Sequence, residues 1–157
     1  MSSWDKLQFL LGDWSSPVSG QPGQGVSGST TFSFDLDQKI MIRRSSAEFA
    51  PEHGQTKSLV HDDLLVIYQQ PEESQFRAIY FDNEDHIIRY NVTMFGDKVI
   101  FTSEQVRGAP RYRFTYTRAS SDALRIKFEI APPGKDFATY IEAGARKTPI
   151  RTESNSK

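Results

Sequence analysis

The chain of 157 residues contains no cysteine, which excludes disulfides, a thiol nucleophile and thiolate metal sites. It also lacks any apolar run that approaches the ~20 residues of a membrane-spanning helix. Its first residues show no basic stretch followed by an apolar core, so we expect no secretory signal. From these absences we expect a cytoplasmic protein without a membrane partner.

A surplus of charge of one sign is missing as well. The 19 Lys and Arg residues and 20 Asp and Glu residues leave a net charge of −1, so we expect no nucleic-acid partner. Apolar residues make up only 37%, against roughly 45–50% in typical globular domains, whereas aromatic residues reach 12%. This balance favours a β protein with polar outer faces, or a barrel whose interior is a partly polar cavity.

What the chain does contain is a long series of strand-like segments spaced about ten residues apart. Leu124, Ile126 and Phe128 alternate with charged neighbours, which is typical of a half-buried strand. Short polar turns separate consecutive segments and make them antiparallel neighbours. The predicted strands are Val26–Phe34, Lys39–Phe49, Leu59–Gln69, Gln75–Phe81, His86–Met94, Lys98–Val106, Arg111–Arg118, Ala123–Ile130 and Phe137–Lys147.

One short helix precedes these strands. The spacing of its apolar residues predicts a helix over residues 3–11 that Ser3 caps and Gly12 ends. Residues 15–29 are rich in Ser, Gly, Pro and Gln, and we expect a flexible loop there. Residues around Trp14 would supply one further strand if they pair with a neighbour.

Together these elements predict an all-β fold. We expect a single up-and-down antiparallel barrel of about nine or ten strands with a short N-terminal helix. The barrel domain would occupy residues 1–147, and residues 148–157 would form a flexible tail.

The residues Gly12-Asp13-Trp14, directly after a short helix, are similar to the G-x-W signature of the lipocalins and their calycin relatives. In those barrels a late basic residue packs over the tryptophan. The resemblance therefore implies a cation–π contact between Trp14 and Arg146 at the barrel floor. More closely, the chain resembles lipocalin-like bacterial proteins of unknown function and, distantly, nitrobindin-type haem barrels. The segments that carry this resemblance are Phe9–Trp14, Ile79–Asn83, Ile88–Tyr90, Pro133–Gly134 and Tyr140–Glu142.

Histidine positions decide what the resemblance implies about cofactors and metals. Nitrobindin-type barrels ligate haem through a histidine near the C-terminus, whereas His53, His61 and His86 all precede residue 90 here. Haem would need Tyr140 or a histidine from elsewhere, so we expect no cofactor and keep haem as the alternative. The stretches around His61 and between Asp82 and His86 have no metal-site spacing. We interpret both as solvated turns.

The second predicted strand contains the first candidate for ligand binding. Inner and outer positions alternate along a barrel strand, and Arg44 and Glu48 share a face with Ile40 and Ile42. If that face is the inner one, Arg44 would bind a ligand carboxylate bidentately or pair with Glu48 or Glu142. The alternative is that this strand faces the other way and Arg44 is solvated.

Aromatic and aliphatic residues supply the other candidates by the same alternation. Phe76 and Tyr80 share a face of one strand, and Ile88 and Tyr90 share a face of the next. These four side chains would surround an apolar ligand tail, with the tyrosines adding hydroxyl groups.

The last predicted strand would add a polar cluster above the barrel floor. Tyr140 and Glu142 lie on the same face as Arg146. A carboxylate with a raised pKa in that position would serve as a general acid or base.

Three functions fit this reading. The first is a binding protein, monomeric or homodimeric, that holds a small, largely apolar ligand with a polar or acidic head. The second is an isomerase, cyclase or lyase acting on such a ligand in the same cavity, with Glu142, Glu48 and Tyr140 as candidate acids and bases. The third is a barrel that is filled by its own side chains and acts through its surface.

Overall fold

A computed structural model describes residues 3–16, 25–51, 54 and 56–149 of the chain. Within these residues ten antiparallel strands form one closed barrel in chain order, and β1 closes it by pairing with both β2 and β10. A 3₁₀ helix over Ser3–Leu10 precedes the first strand. The strands are β1 (Gly12–Ser16), β2 (Gly25–Asp35), β3 (Ile40–Phe49), β4 (Leu59–Gln69), β5 (Phe76–Asp82), β6 (Ile87–Phe95), β7 (Lys98–Ser103), β8 (Arg111–Ser120), β9 (Ala123–Ala131) and β10 (Ala138–Lys147).

The predicted fold class is confirmed, because the protein is a single up-and-down antiparallel barrel with a short helix at its N-terminal end. The tenth strand is the one around Trp14. Leu124 of β9 is buried and Arg125 beside it is exposed, as the alternation requires. Of the described residues, no helix is long and apolar enough to cross a membrane.

The loop expected over residues 15–29 is wrong at both ends of this segment, which belong to β1 and β2. Low strand propensity is overridden here, since backbone pairing between β1 and β2 is what closes the barrel. Residues 17–24 lie outside the described residues. The pairs in question are Ser15 with Ser29 and Ser16 with Gly28.

The N-terminal helix closes one end of the barrel. Trp4, Leu7 and Leu10 are buried on its inner side. The Trp4 ring packs edge-on against Phe34 of β2 and Phe76 of β5, with centroids 5.5 and 4.7 Å apart. We call this the closed end and the opposite end the mouth.

Trp14 lies at the closed end as predicted, but its cationic neighbour is Lys147. The Lys147 Nζ atom is 5.5 Å from the ring centroid, whereas Arg146 is exposed and lies 3.9 Å from Asp122. The expectation for Arg146 is wrong because Trp14 and Lys147 are register partners and emerge on the same face. Gly12, with φ of +122°, makes room, since a Cβ there would lie 2.7 Å from Lys147 Cε.

The end of β10 is tied to the closed end by the backbone. The Thr148 amide donates to the Asp13 carbonyl at 2.7 Å. The remainder of the predicted tail, residues 150–157, lies outside the described residues.

Candidate functional site

The half of the barrel towards the mouth holds a cavity of about 800 Å³. Its two sides differ in chemistry, and Ile88 and Tyr90 of β6 lie between them. The side built by β3–β5 and the following turn, which we call the polar wall, consists of Arg43, His61, Asp63, Tyr80, Asp82, Glu84 and His86. The side built by β8–β10, which we call the aromatic wall, includes Tyr112, Phe114, Tyr116, Phe128 and Tyr140.

Arg43 is the central charge of the polar wall and is only 6% exposed. Its Nη2 donates to Asp63 Oδ1 at 2.7 Å, and its Nη1 donates to the Tyr116 hydroxyl at 3.0 Å. The guanidinium also lies 5.2 Å from the Phe114 ring centroid and 5.9 Å from that of Tyr80. An ion pair with this burial holds its geometry because both partners lack water as an alternative.

The charge of Arg43 is maintained by these neighbours. Burial alone would lower the pKa of Arg43, but the Tyr116 oxygen and the Asp63 carboxylate raise it above its ordinary value. The Nε–H is buried and has no partner among the described residues. Arg43 is therefore a permanent cation, and its Nε–H, which those residues leave unpaired, is buried away from the cavity.

A chain of five hydrogen-bonded side chains continues the polar wall to the rim; we call it the mouth chain. Glu84 Oε1 lies 3.1 Å from His61 Nδ1, and His61 Nε2 lies 3.0 Å from the Tyr80 hydroxyl. That hydroxyl is also 3.0 Å from Asp82 Oδ2, which lies 2.9 Å from His86 Nδ1. The mouth chain thus places two imidazoles and two carboxylates around one phenol.

This environment shifts the pKa values of Tyr80 and Asp82 in opposite directions. Burial, together with the carboxylates of Asp63 and Asp82, raises the pKa of Tyr80 far above its ordinary value, so its hydroxyl stays protonated. Burial would also raise the pKa of Asp82. The backbone amides of His86 and Glu84, the His86 ring and the Tyr80 hydroxyl outweigh burial and lower it.

The lowered pKa of Asp82 predicts a dependence of stability on pH. The stabilisation is fully present above the unfolded-state pKa of about 3.9 and is lost as the pH falls through the lower folded-state pKa. We expect Asp82→Asn to cost about 1–3 kcal/mol at pH 7 and to flatten the loss of stability below about pH 4. Urea unfolding at pH 7 and pH 3 measures both effects.

Asp85→Asn is the matched control, because Asp85 is an exposed carboxylate in the same turn with positive φ. We expect it to change the free energy of unfolding by no more than about 0.5 kcal/mol at either pH. Equal pH profiles for the two variants would contradict the assignment to Asp82.

The aromatic wall is a set of mutually packed rings. Phe128 stacks on Tyr112 at a centroid distance of 6.0 Å and meets Tyr140 edge-on at 6.1 Å. Phe114 meets Tyr90 edge-on at 5.0 Å. The hydroxyls of Tyr90 and Tyr112 form no hydrogen bond with the described residues, although both side chains line the cavity.

Four of the eight predicted ligand-binding residues line this cavity: Tyr80, Ile88, Tyr90 and Tyr140. Tyr90 is buried, whereas Tyr140 is 68% exposed at the rim. Contact of these side chains with a ligand stays a prediction.

The inward orientation expected for Arg44 and Glu48 is wrong, because both side chains are exposed on the outer face of β3. Met41 and Arg43 occupy the inner positions instead. Ile42, whose apolar character suggested the opposite face, is half-buried outside against its register partner Val66.

Two further candidates lie elsewhere. Phe76 faces inward but packs on Trp4 at the closed end, away from the cavity. Glu142 is exposed on the outer face of β10, where Ala143 and Ala145 take the inner positions. A register shift between Thr139 and Ile141 changes the alternation that the prediction relied on.

Apart from Tyr80, the polar residues that dominate the site were not predicted. Arg43 was overlooked beside Arg44, although a second arginine of opposite parity was visible in the sequence. His61 and Asp63 were interpreted as a solvated turn, but they lie in β4 with their side chains only 24% and 12% exposed. Asp82 does begin a turn, yet its side chain is 3% exposed.

The described residues hold no group of three or more His, Asp and Glu side chains arranged to bind a metal ion. Of the described residues that could ligate haem, His61 and Tyr140 do not fit this role, whereas His86 lines the cavity and is hydrogen-bonded only through Nδ1. Both ring nitrogens of His61 are engaged by Glu84 and Tyr80, and Tyr140 is mostly exposed. His53 lies outside the described residues.

Comparison with known proteins supports the architecture alone. No family model matches the chain, and no curated protein matches it. Rv2717c from M. tuberculosis has a similar structure, with a TM-score of 0.61 and 12% identity over 95% of this chain and 99% of that one. A DUF3598 protein of unknown function from Nostoc punctiforme aligns over 94% of this chain and 100% of that one. Its TM-score of 0.32 and identity of 7% are too low to support a shared fold or function.

Proposed function

We propose that this barrel is a binding protein, of the lipocalin-like type, for a small and largely apolar ligand with a polar head rich in hydrogen-bond acceptors. The observation that carries the proposal is a cavity of about 800 Å³ with charged and polar side chains on one side, aromatic rings on the other, and along its lining the hydroxyls of Tyr90 and Tyr112, which the described residues leave unpaired. Cavities of roughly 300–1,000 Å³ with a few polar groups are typical of small-molecule sites.

The head group follows from the donors that remain unpaired. The hydroxyls of Tyr90 and Tyr112 line the cavity and have no partner among the described residues. Burial raises the pKa of Tyr90, so its hydroxyl keeps its proton. Two hydroxyl donors without acceptors, near the Arg43 cation, favour a ligand carboxylate or carbonyl oxygen, because buried polar groups that stay unpaired are costly.

The apolar part of the ligand would lie on the aromatic wall. Phe114, Phe128 and Tyr112 offer ring faces and edges at which a planar or aliphatic group replaces water. The same open cavity weighs against a barrel that is filled by its own side chains and acts only through its surface.

The head-group assignment predicts a preference between two probes of one ring system. Isothermal titration calorimetry is expected to show tighter binding of 2-naphthoic acid, an acceptor, than of 2-naphthylmethylamine, a donor. Tyr90→Phe removes one hydroxyl donor and should weaken binding of the acid roughly ten-fold.

Tyr68→Phe is the matched control, since Tyr68 belongs to β4 but occupies an outer position. It should leave the affinity unchanged. The head-group assignment fails if the amine binds as tightly as the acid, or if both tyrosine variants behave alike. The binding function itself fails if neither probe binds and native mass spectrometry of the purified protein shows no bound molecule.

A further inference from the structure

The mouth chain contains more hydrogen-bond partners around Tyr80 than a wall that only binds a ligand would require. Its central phenol, Tyr80, lies 3.0 Å from a possible proton acceptor on each side, His61 Nε2 and Asp82 Oδ2. A tyrosine that only stabilised the wall would need one such partner. Tyr80 instead occupies the position at which a proton can pass in either direction.

The single hydroxyl proton of Tyr80 makes two arrangements consistent with the same atomic positions. If Tyr80 donates to Asp82, His61 Nε2 carries a proton and donates to the Tyr80 oxygen. If Tyr80 donates to His61 Nε2 or to a ligand, the His61 proton lies on Nδ1 and is donated to Glu84. In the first arrangement the Glu84 contact is a hydrogen bond only if His61 carries a proton on Nδ1 as well, so the two arrangements differ by one proton on the His61 ring.

Both partners of Tyr80 are themselves held in place. Glu84 fixes the His61 ring through Nδ1 at 3.1 Å, as an orienting carboxylate fixes the histidine of a catalytic triad. Asp82 accepts the backbone amides of Glu84 and His86 at 2.9 and 3.0 Å. An acid and a base are therefore preorganised on a wall of the ligand cavity.

We propose that Tyr80 and His61 enolise a bound ligand that has a carbonyl group next to a C–H bond. This proposal rests on the proposed ligand-binding function and adds a reaction to it. The ligand would lie with its apolar part on the aromatic wall and its carbonyl oxygen towards the Tyr80 hydroxyl.

The proton transfers balance within these two residues. His61 Nε2 takes the proton of the carbon next to the carbonyl, the C–H electron pair becomes the C=C bond, and the carbonyl π pair moves to oxygen. That oxygen takes the proton of Tyr80 while the Tyr80 oxygen takes the new proton of His61 Nε2 across 3.0 Å, which restores both residues. The two transfers are coupled because burial and the neighbouring carboxylates, which raise the pKa of Tyr80, disfavour a free phenolate. Reprotonation of the enol at another carbon would complete an isomerisation.

The reaction is tested with 2-tetralone, a bicyclic aromatic ketone, in deuterated buffer. Proton NMR follows the exchange of its CH₂ protons next to the carbonyl, and saturation transfer in the same sample reports binding. We expect exchange faster than in buffer alone. Tyr80→Phe and His61→Gln should each lower the protein-dependent rate by roughly 100-fold while binding persists.

Tyr68→Phe is again the control and should keep the full rate, because its hydroxyl lies on the outer face of β4. Glu84 is a positioning residue, so Glu84→Gln should lower the rate less and move the pH at which the rate is half-maximal. Thermal melting of each variant separates loss of activity from loss of fold.

Three results are informative in different ways. Exchange that depends on Tyr80 and His61 supports the proposal. Binding of 2-tetralone without acceleration, or acceleration that survives both substitutions, overturns the acid–base activity and leaves the binding function in place. Absence of binding overturns the enolisation proposal and also counts against the proposed binding function.

Discussion

Replacement of Arg43 with methionine is expected to lower the free energy of unfolding by about 3–5 kcal/mol. Methionine fills a similar volume, so the loss comes mainly from Asp63. The Asp63 side chain is 12% exposed and, among the described residues, would keep only the His61 ring nitrogen, at 3.5 Å, as a possible ion-pair partner. A buried carboxylate that loses its partner is among the most destabilising changes that one substitution makes.

Urea unfolding of two companion variants isolates this cause. Arg44→Met removes the same chemical group from the exposed outer face and should cost less than about 0.5 kcal/mol. The double variant Arg43→Met/Asp63→Asn removes both charges and should recover part of the loss. Equal effects of the two single arginine substitutions would show that Arg43 does not carry a buried ion pair.

Replacement of Trp14 with alanine, at the closed end of the barrel, is expected to lower the free energy of unfolding by about 3–5 kcal/mol. Trp14 is 2% exposed, and its indole Nε1 donates to the Leu10 carbonyl at 2.7 Å. Alanine removes the ring that joins the helix to β1 and leaves that carbonyl without its donor. Chemical denaturation monitored by circular dichroism measures the loss.

Trp14→Phe separates packing from hydrogen bonding, because it keeps a ring but removes the donor. We expect an intermediate loss of about 1–3 kcal/mol. The charges beside Trp14 provide a second comparison. Lys147→Met should cost about 0.5–1 kcal/mol more than Arg146→Met, since only Lys147 lies over the ring. A larger effect at Arg146 would reinstate the contact expected from the family resemblance.

The two ends of the barrel differ in composition: one is packed with apolar side chains, and the other holds buried polar and charged groups. Large apolar side chains and the helix pack together at the closed end, away from the cavity described above. The half towards the mouth carries buried charge and hydroxyl groups that a purely structural core would replace with apolar residues. A barrel can retain these groups because the packed half supplies the stability that the cavity lacks.

Alternation predicted the inward-facing residues of a strand only where the outward-facing positions of that strand are polar. In β8 and β9 the outer positions are charged, so Phe114 and Leu124 were recognisable as inner residues from alternation alone. In β3 both faces are apolar around Ile40, Met41 and Ile42, and alternation left two orientations open. The register with β4 places Met41 opposite the buried Ile67 and so decides the orientation.

A local irregularity limited the prediction for β10 in a different way. Its inner residues Ala143 and Ala145 are small and gave no apolar signal, so Glu142 and Arg146 seemed the better aligned pair. The register shift after Thr139 is an irregularity of the backbone, and the residue pattern of this strand does not predict it.

The sequence by itself determined nine of the ten strands, their antiparallel order and the helix before them, and the family resemblance added Trp14 at the barrel floor. It could do so because turns and alternation are local properties of the chain. Only the tertiary structure decided that Arg43 rather than Arg44 enters the cavity. It also brought His61, Tyr80, Asp82 and Glu84 into one chain of hydrogen bonds. Those choices depend on register between strands, where a shift of one residue exchanges the inner and outer faces.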